Sequence, residues 1–180
     1  MPQMSQTCKD SAVLFSGRIF RVVKVLQQLP DGSSMAREVV RHPGAVVVLP
    51  LVDDHRICLV RNFRPAVGQT LLELPAGTLE PGEDPLETAR RELAEETGYR
   101  AEHIEHLLSF FMSPGILDER MHVYLATGLA PGAQSLETGE QLEPLLLPLP
   151  EALAMARDGR IQDAKTLTAL LYYWLFRRGG

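Results

Sequence analysis

The chain reads GTLEPGEDPLETARRELAEETGY from Gly77 to Tyr99, and this segment is called the acidic motif below. It contains three carboxylates close together, Glu92, Glu95 and Glu96. On a helix these side chains lie on neighbouring turns, where like charges repel by roughly 0.2–0.5 kcal/mol per pair. The repulsion is relieved if the carboxylates bind divalent cations, because Mg²⁺ prefers carboxylate, carbonyl and water oxygens. The motif therefore predicts a cation-binding helix.

The competing interpretation is that the acidic face is simply solvated, as most such faces are. Beyond the three carboxylates, however, the motif has a fixed pattern of residue types. Its fixed positions are Glu83, Arg91, Glu92, Leu93, Glu95, Glu96 and Gly98. Two more positions are fixed by apolar character, and at ordinary residue frequencies chance supplies the whole match on the order of once in a billion start positions. We therefore favour a functional site over a solvated face.

Local signals predict where the motif helix begins and ends. Asp84 is a good N-cap, Pro85 follows at the first helical position, and Glu87 has capping-box spacing. Gly98 stands where a left-handed residue ends a helix. We expect a loop, a helix and a sharp stop.

The same helix has an apolar stripe beside its acidic one. At about 100° per residue, Leu86, Ala89 and Leu93 share a face. That face can bury against a sheet while the three glutamates line a cleft. Metal ligands need this position at the edge of a core, open to substrate.

Composition excludes several classes of protein. The chain has 180 residues with 45% hydrophobic and 23% charged residues, which suits a soluble globular domain. Its net charge of −5 argues against binding to nucleic acid or membrane surfaces. Residues 1–10 are polar and lack the apolar region of a secretory signal. Cys8 and Cys58 have no paired spacing, so we expect reduced thiols and a cytoplasmic protein.

The remaining pattern mixes strands and helices, which predicts an α/β or α+β sandwich. The predicted strands are Phe20–Leu29, Met35–His42, Ala45–Val52, Ile57–Val60, Leu71–Leu74, His106–Phe111, Met121–Ala126 and Leu142–Leu147. Loops are expected at Arg61–Gly68, Ser113–Arg120 and Gly128–Glu140. Two more helices are predicted, Pro150–Asp158 and Ala164–Phe176, as core or subunit-packing elements. The apolar stripe of the last is Leu167, Leu170, Leu171, Trp174 and Leu175.

The acidic motif resembles the Nudix box, whose signature it matches without departure. Nudix proteins hydrolyse nucleoside diphosphates linked to another group, and they are built as a helix–sheet–helix sandwich with a mixed sheet. The resemblance implies that Mg²⁺ or Mn²⁺ is bound by Glu92, Glu95, Glu96 and the carbonyl of Ala76. It also implies that a pair between Glu83 and Arg91 braces the loop and helix.

Segments outside the motif resemble the ADP-ribose pyrophosphatase branch of that family. They are Arg61–Gly68 (RNFRPAVG), Glu73–Gly77 (ELPAG) and Ser113–Gly115 (SPG) with Asp118 and Glu119 behind it. Pro114, fifteen residues after Tyr99, stands where that branch has a distinguishing proline.

Members of this branch are homodimers whose N-terminal strands cross to the partner and help to bind adenine. The resemblance thus divides the chain into residues 1–42, with the dimer strands, and residues 43–180, the hydrolase domain. The implied substrate contacts are Arg18, Ile19, Phe20, Arg61, Arg64, Ser113, Gly115 and Glu119. Arg64 is the favoured diphosphate contact because a guanidinium can donate two parallel hydrogen bonds to phosphate.

The expected reaction is metal-dependent hydrolysis of ADP-ribose to AMP and ribose 5-phosphate. Glu140 is the first candidate for the general base and Glu119 the second, while Glu92 and Glu95 act in catalysis through the metal. Glu73 either assists at the site or is a solvated strand residue. Two alternatives stay open: hydrolysis of FAD or a sugar nucleotide, and a nucleotide sensor without catalysis.

Overall fold

The computed structural model describes residues 8–136 and 139–178, which form two compact units. The N-terminal unit comprises the described residues up to Gly44 together with Phe111–Arg120. The motif unit comprises Ala45–Phe110 and the described residues from Met121 onward. Parts of the predicted N-terminal tail and of the loop Gly128–Glu140 lie outside the described residues. Within the described residues, no helix combines the length and the apolar character needed to cross a bilayer.

The N-terminal unit contains an antiparallel sheet in the order β1-β2-β3. Its strands are β1 (Cys8–Ser16), β2 (Arg21–Gln28) and β3 (Ser34–Arg41). Gly32, with φ of 85°, lies in the turn between β2 and β3, where a side chain would be strained. The predicted pair of strands around that turn is confirmed, and β1 precedes it.

The motif unit contains two sheets and three helices. One sheet has the order β7-β4-β9-β8, from β4 (Ala45–Pro50), β7 (Ala76–Thr78), β8 (Tyr99–Phe111) and β9 (Arg120–Pro131). The other has the order β10-β5-β6, from β5 (Arg56–Arg64), β6 (Gln69–Glu73) and β10 (Leu142–Pro148). The helices are α1 (Pro85–Thr97), α2 (Leu149–Arg157) and α3 (Ala164–Phe176). Strand β4 is parallel to β9 and antiparallel to β7, so the predicted mixed sheet is confirmed.

The core of this unit is centred on β4, all of whose residues are buried. Val46 and Val48 cluster with Ala89 and Leu93 of α1. Since side chains alternate along a strand, Ala45, Val47 and Leu49 face the other side, and α3 also packs against this strand. The sheet that contains β4 therefore lies between α1 and α3, as predicted. Helix α1 packs along β4 and β7.

Some predicted boundaries are wrong because tertiary pairing overrides local sequence. Arg61–Arg64 belongs to β5 and not to a loop, since Arg61 pairs with Leu72 and Arg64 with Gln69 in β6. Strand β9 likewise continues to Pro131.

Within this chain, the predicted apolar stripe of α3 is only partly buried. Leu170 is fully buried, but Leu171, Trp174 and Leu175 are 46%, 40% and 66% exposed. The helix instead buries a polar first turn, including Lys165.

Candidate active site

The ends of α1 are fixed by the residues that the sequence indicated. Asp84 is the N-cap, and its carboxylate accepts a hydrogen bond from the N–H of Leu86 at 2.8 Å. Gly98 has φ of 76° and closes the helix through a bond from its N–H to the carbonyl of Ala94. The predicted helix is confirmed at both ends, so the three glutamates have a rigid support.

Arg91 gathers the carboxylates on one side of α1. Its Nη1 donates to Oε1 of Glu92 at 2.7 Å and to Oε2 of Glu95 at 3.1 Å. Its Nε and Nη2 donate to Glu83 at 3.3 and 3.4 Å, so the contact implied between these two residues is present. Glu83 in turn accepts from the N–H of Glu80 at 3.2 Å. The guanidinium therefore ties the preceding loop to the acidic face.

Glu96 is a buried carboxylate, and Glu92 is partly buried, with a side chain that is 12% exposed. Glu96 is 5% exposed, and its Oε2 accepts from the N–H of Ala76 at 2.9 Å. Burial raises the pKa of Glu96 to about 8, although that hydrogen bond acts the other way and the charges of Glu92 and Glu140 add to the rise. Burial also raises the pKa of Glu92, against the opposing charge of Arg91. Buried negative charge of this kind is unfavourable until a cation compensates it.

Glu140 lies within electrostatic reach of these two residues. Its charge raises the pKa of both Glu92 and Glu96. It is an exposed loop residue just before β10, which pairs with β5. The structure thus brings the first candidate base close to two of the predicted metal ligands.

The donor set suits a hard divalent cation. As the resemblance implies it, the set consists of carboxylate oxygens and the backbone carbonyl of Ala76 at the edge of a core, and Mg²⁺ prefers such ligands. Within residues 8–136 and 139–178, no three His, Cys, Asp or Glu side chains already converge as a cage. The reason is visible in the contacts, since Arg91 holds Glu92 and Glu95 while the N–H of Ala76 holds Glu96.

Glu73 is neither solvated nor isolated. It is 1% exposed at the end of β6, and it binds Arg64 through two hydrogen bonds, Nε to Oε1 at 2.8 Å and Nη2 to Oε2 at 2.6 Å. Lys165 of α3 donates to the same Oε2 at 2.5 Å. The interpretation of Glu73 as a solvated strand residue is therefore wrong, because two cations from other elements enclose it.

Sequence reasoning missed Lys165 and its neighbour Asp163. Asp163 is the N-cap of α3 and accepts from the N–H of Thr166 at 2.9 Å, a cap that the sequence does signal. It also accepts from Lys165 Nζ at 2.8 Å. The partner of Lys165 could not be found in this way, since Glu73 is 92 residues earlier in the chain.

The ion pairs of Glu73 predict a pH dependence of stability. Burial by itself raises the pKa of Glu73, but the bonds and charges of Arg64 and Lys165 outweigh it and leave the pKa below its ordinary value. The unfolded chain thus binds a proton more readily, near the ordinary glutamate pKa of about 4.3. The stabilisation is fully present above that pH and is lost as pH falls through the lower pKa of the folded state.

We expect the difference in unfolding free energy between the wild type and Glu73→Gln to be largest at pH 6 and to shrink toward pH 3. Urea unfolding at several pH values measures it. Glu105→Gln is the matched control, because Glu105 pairs with Arg177 at the surface. If the unfolding free energies of the wild type and Glu73→Gln change with pH in the same way, the lowered pKa of Glu73 is contradicted.

The other predicted contact residues are distributed over both units. In the motif unit, Arg61 lies 3.6 Å from Glu143 of β10. In the N-terminal unit, Glu119 lies 3.5 Å from Nδ1 of His42, and Ser113 accepts turn hydrogen bonds from the N–H groups of Ile116 and Leu117.

Three further predicted contacts precede β2 in the N-terminal unit, namely Arg18, Ile19 and Phe20. Ile19 and Phe20 are 45% and 41% exposed. The ring of Phe20 lies 5.9 Å from that of Phe15. Gly115, in the same unit, has no heavy atom within 4 Å of the position of a Cβ. Their roles as substrate contacts stay predictions.

Comparison with known proteins identifies the family. The family model of the NUDIX domain matches residues 40–170. The chain belongs to the Nudix family. The resemblance stated from the acidic motif is thereby confirmed, and the chain is a Nudix pyrophosphohydrolase.

Individual relatives of this Nudix protein cover most of its length. It is 43% identical over 164 residues to a methanol dehydrogenase activator of Bacillus methanolicus, covering 90% of this chain and 89% of that one. It is 40% identical over 164 residues to an ADP-ribose pyrophosphatase of Bacillus subtilis, with the same coverage of 90% and 89%. A crystal structure of an ADP compounds hydrolase superposes with a TM-score of 0.83 at 26% identity, covering 99% of this chain and 98% of that one. These matches confirm the predicted branch and the α+β fold.

Proposed function

We propose that this protein hydrolyses the diphosphate of ADP-ribose, in a reaction that requires Mg²⁺ or Mn²⁺, to give AMP and ribose 5-phosphate. The observation that carries the proposal is the grouping of the partly buried Glu92 and of Glu140 with the buried Glu96, which accepts from the N–H of Ala76. The similarity to an ADP-ribose pyrophosphatase over 90% of the chain supports this substrate.

In this proposal, Glu92, Glu95, Glu96 and the carbonyl of Ala76 hold the cations. Bound cations of this type activate a water molecule and stabilise negative charge on the entering and leaving oxygens. Glu140 accepts a proton from the attacking water, since it is a carboxylate close to the same ligands. Arg64, whose side chain is 42% exposed, binds the diphosphate with its guanidinium, which Glu73 holds along one edge.

A substrate panel tests the proposal. ADP-ribose, FAD, NADH, sugar nucleotides and diadenosine polyphosphates are compared with Mg²⁺ by kcat/KM, and ADP-ribose is expected to rank first. A higher kcat/KM for FAD or a sugar nucleotide would contradict the assignment of ADP-ribose as the preferred substrate. Binding of ADP-ribose without metal-dependent turnover would favour a sensor. Hydrolysis in heavy-oxygen water then shows which product gains the label and hence which phosphorus is attacked.

A second candidate function comes from the relative named methanol dehydrogenase activator. Under it, the protein stimulates a methanol dehydrogenase. The check is the rate of that dehydrogenase with and without the protein, repeated with the variant Glu96→Gln. Stimulation that survives the variant would separate activation from hydrolysis.

We also propose that the protein is a cytoplasmic homodimer with the division at residues 1–42 and 43–180 expected from its branch. Exposed apolar residues on strand β1 support the dimer, since Val13, Leu14 and Phe15 are 59%, 53% and 55% exposed and a partner subunit could cover them. Sedimentation equilibrium checks the mass, and a monomer at assay concentrations would contradict the dimer.

Gly77 offers a test of the position of Glu92. A Cβ on Gly77 would overlap Oε1 of Glu92, so alanine must displace that carboxylate. A displacement of about 1 Å can reduce activity roughly 100-fold. We therefore expect Gly77→Ala to lower kcat/KM for ADP-ribose by about that factor while the fold persists by circular dichroism. Unchanged activity would show that turnover does not require Glu92 in the position described here.

A further inference from the structure

Lys165 is a lysine in the interior of the motif unit. It lies in the first turn of α3 and its side chain is 9% exposed. Burying an ammonium group is costly unless it is paired and hydrogen-bonded. Here both conditions are met, since Nζ donates to Glu73 at 2.5 Å and to Asp163 at 2.8 Å.

The partner of Lys165 is the residue that orients Arg64. Glu73 uses Oε1 for Arg64 Nε, and its Oε2 is shared between Arg64 Nη2 and Lys165 Nζ. Lys165 therefore limits the rotation of the carboxylate that determines the direction of the guanidinium. The side chain of Arg64 is 42% exposed, so a ligand at the surface of the unit can reach it.

The same turn of α3 is linked to the segment that leads to the metal ligands. Oγ1 of Thr166 accepts from the N–H of Leu74 at 2.8 Å. Two residues further on, the N–H of Ala76 donates to Glu96 at 2.9 Å. The start of α3 thus supports both Arg64 and the backbone of residues 74–76.

A purely structural role does not require this arrangement. Replacing a buried ion pair by apolar residues of similar volume is often neutral or stabilising. An ionic group that costs desolvation but fixes a guanidinium is better explained by the need to hold that guanidinium in place.

We propose that Lys165 is a positioning residue for substrate binding, acting on Arg64 through Glu73. The proposal rests on the proposed function, in which Arg64 binds the diphosphate. A guanidinium held in place before binding loses less conformational freedom when the substrate arrives. Loss of Lys165 therefore weakens substrate binding and leaves the chemical step intact.

The test is a double-mutant cycle on KM and kcat for ADP-ribose with Mg²⁺, using Lys165→Met, Arg64→Ala and the double variant. We expect Lys165→Met to raise KM about 10-fold with kcat largely unchanged. In the Arg64→Ala background the same change is expected to have no further effect on KM, because its target is gone. Lys165→Arg is expected to restore most of the affinity.

Arg160→Met is the matched control, since it removes an exposed ion pair with Asp158 in the same unit. It should leave KM and kcat unchanged. An unchanged KM in Lys165→Met, or an equal rise in KM with and without Arg64, would overturn the proposal. Equal rises would mean that Lys165 acts on the fold and not through Arg64.

Two further measurements keep the outcome interpretable. If Lys165→Met does not fold, Glu73→Gln with Lys165→Met removes both charges and leaves Arg64 without its anion. A KM equal to that of the wild type in this variant would overturn the proposal. Failure of the proposed function is distinguished by the wild type alone, because absence of ADP-ribose turnover contradicts that function directly. The cycle is then measured on the best substrate of the panel.

Discussion

Glu96→Gln is expected to lower kcat/KM for ADP-ribose by at least about 100-fold and to weaken Mg²⁺ binding in parallel. Loss of residues that only support a metal ligand costs about 10- to 100-fold, and removal of a direct ligand should cost no less. Glutamine retains an oxygen that can accept from the N–H of Ala76, and it removes a buried charge. The folded state should therefore be preserved, so that the loss reports on the metal site.

Steady-state kinetics across a Mg²⁺ titration, with thermal unfolding in parallel, measure this effect. Glu87→Gln is the matched control on the same helix, because Glu87 is 68% exposed and lies 3.8 Å from Arg90. It should behave as the wild type in the titration. A Glu96→Gln enzyme with an unaltered Mg²⁺ dependence would show that Glu96 is not a ligand.

Glu140→Gln is expected to reduce kcat by about 100-fold or more while KM changes little. General base catalysis contributes about 10²- to 10⁴-fold to a rate, and glutamine cannot accept the proton. Removing the charge should also lower the pKa of Glu92 and Glu96, since Glu140 raises both. Metal binding should thus be kept while turnover falls, and this separation distinguishes a base from a ligand.

Single-turnover kinetics at saturating Mg²⁺ isolate the chemical step. The control is Glu151→Gln, an exposed glutamate at the start of α2. Glu119→Gln is measured beside them as the second candidate. If Glu119→Gln slows the chemical step and Glu140→Gln does not, Glu119 is the general base.

The helix of the acidic motif could be predicted from sequence because its determinants are local. Asp84 caps it, Gly98 stops it, and Ala89 and Leu93 face the core, all within one segment. The family followed from the same residues. The carboxylates of the acidic motif are therefore on a part of the chain whose structure needs little tertiary information.

The remaining features depend on contacts between distant segments. The continuation of β5 through Arg64 is determined by pairing with β6. The burial of Glu73 requires a lysine 92 residues later, and periodicity does not report such a pairing. The exposed side chains of α3 illustrate the same limit, since an apolar pattern gives the helix but not the face that the sheet covers.

Arg91 has a consequence for the protein before any divalent ion arrives. A single guanidinium reaches Glu83, Glu92 and Glu95, and so acts as a resident counter-ion for the acidic face. In the proposed reaction, incoming Mg²⁺ would compete with a cation that is already part of the chain, and Arg91 would keep Glu83 while the other two carboxylates turned to the metal. Chelation with EDTA should therefore silence the enzyme without unfolding it.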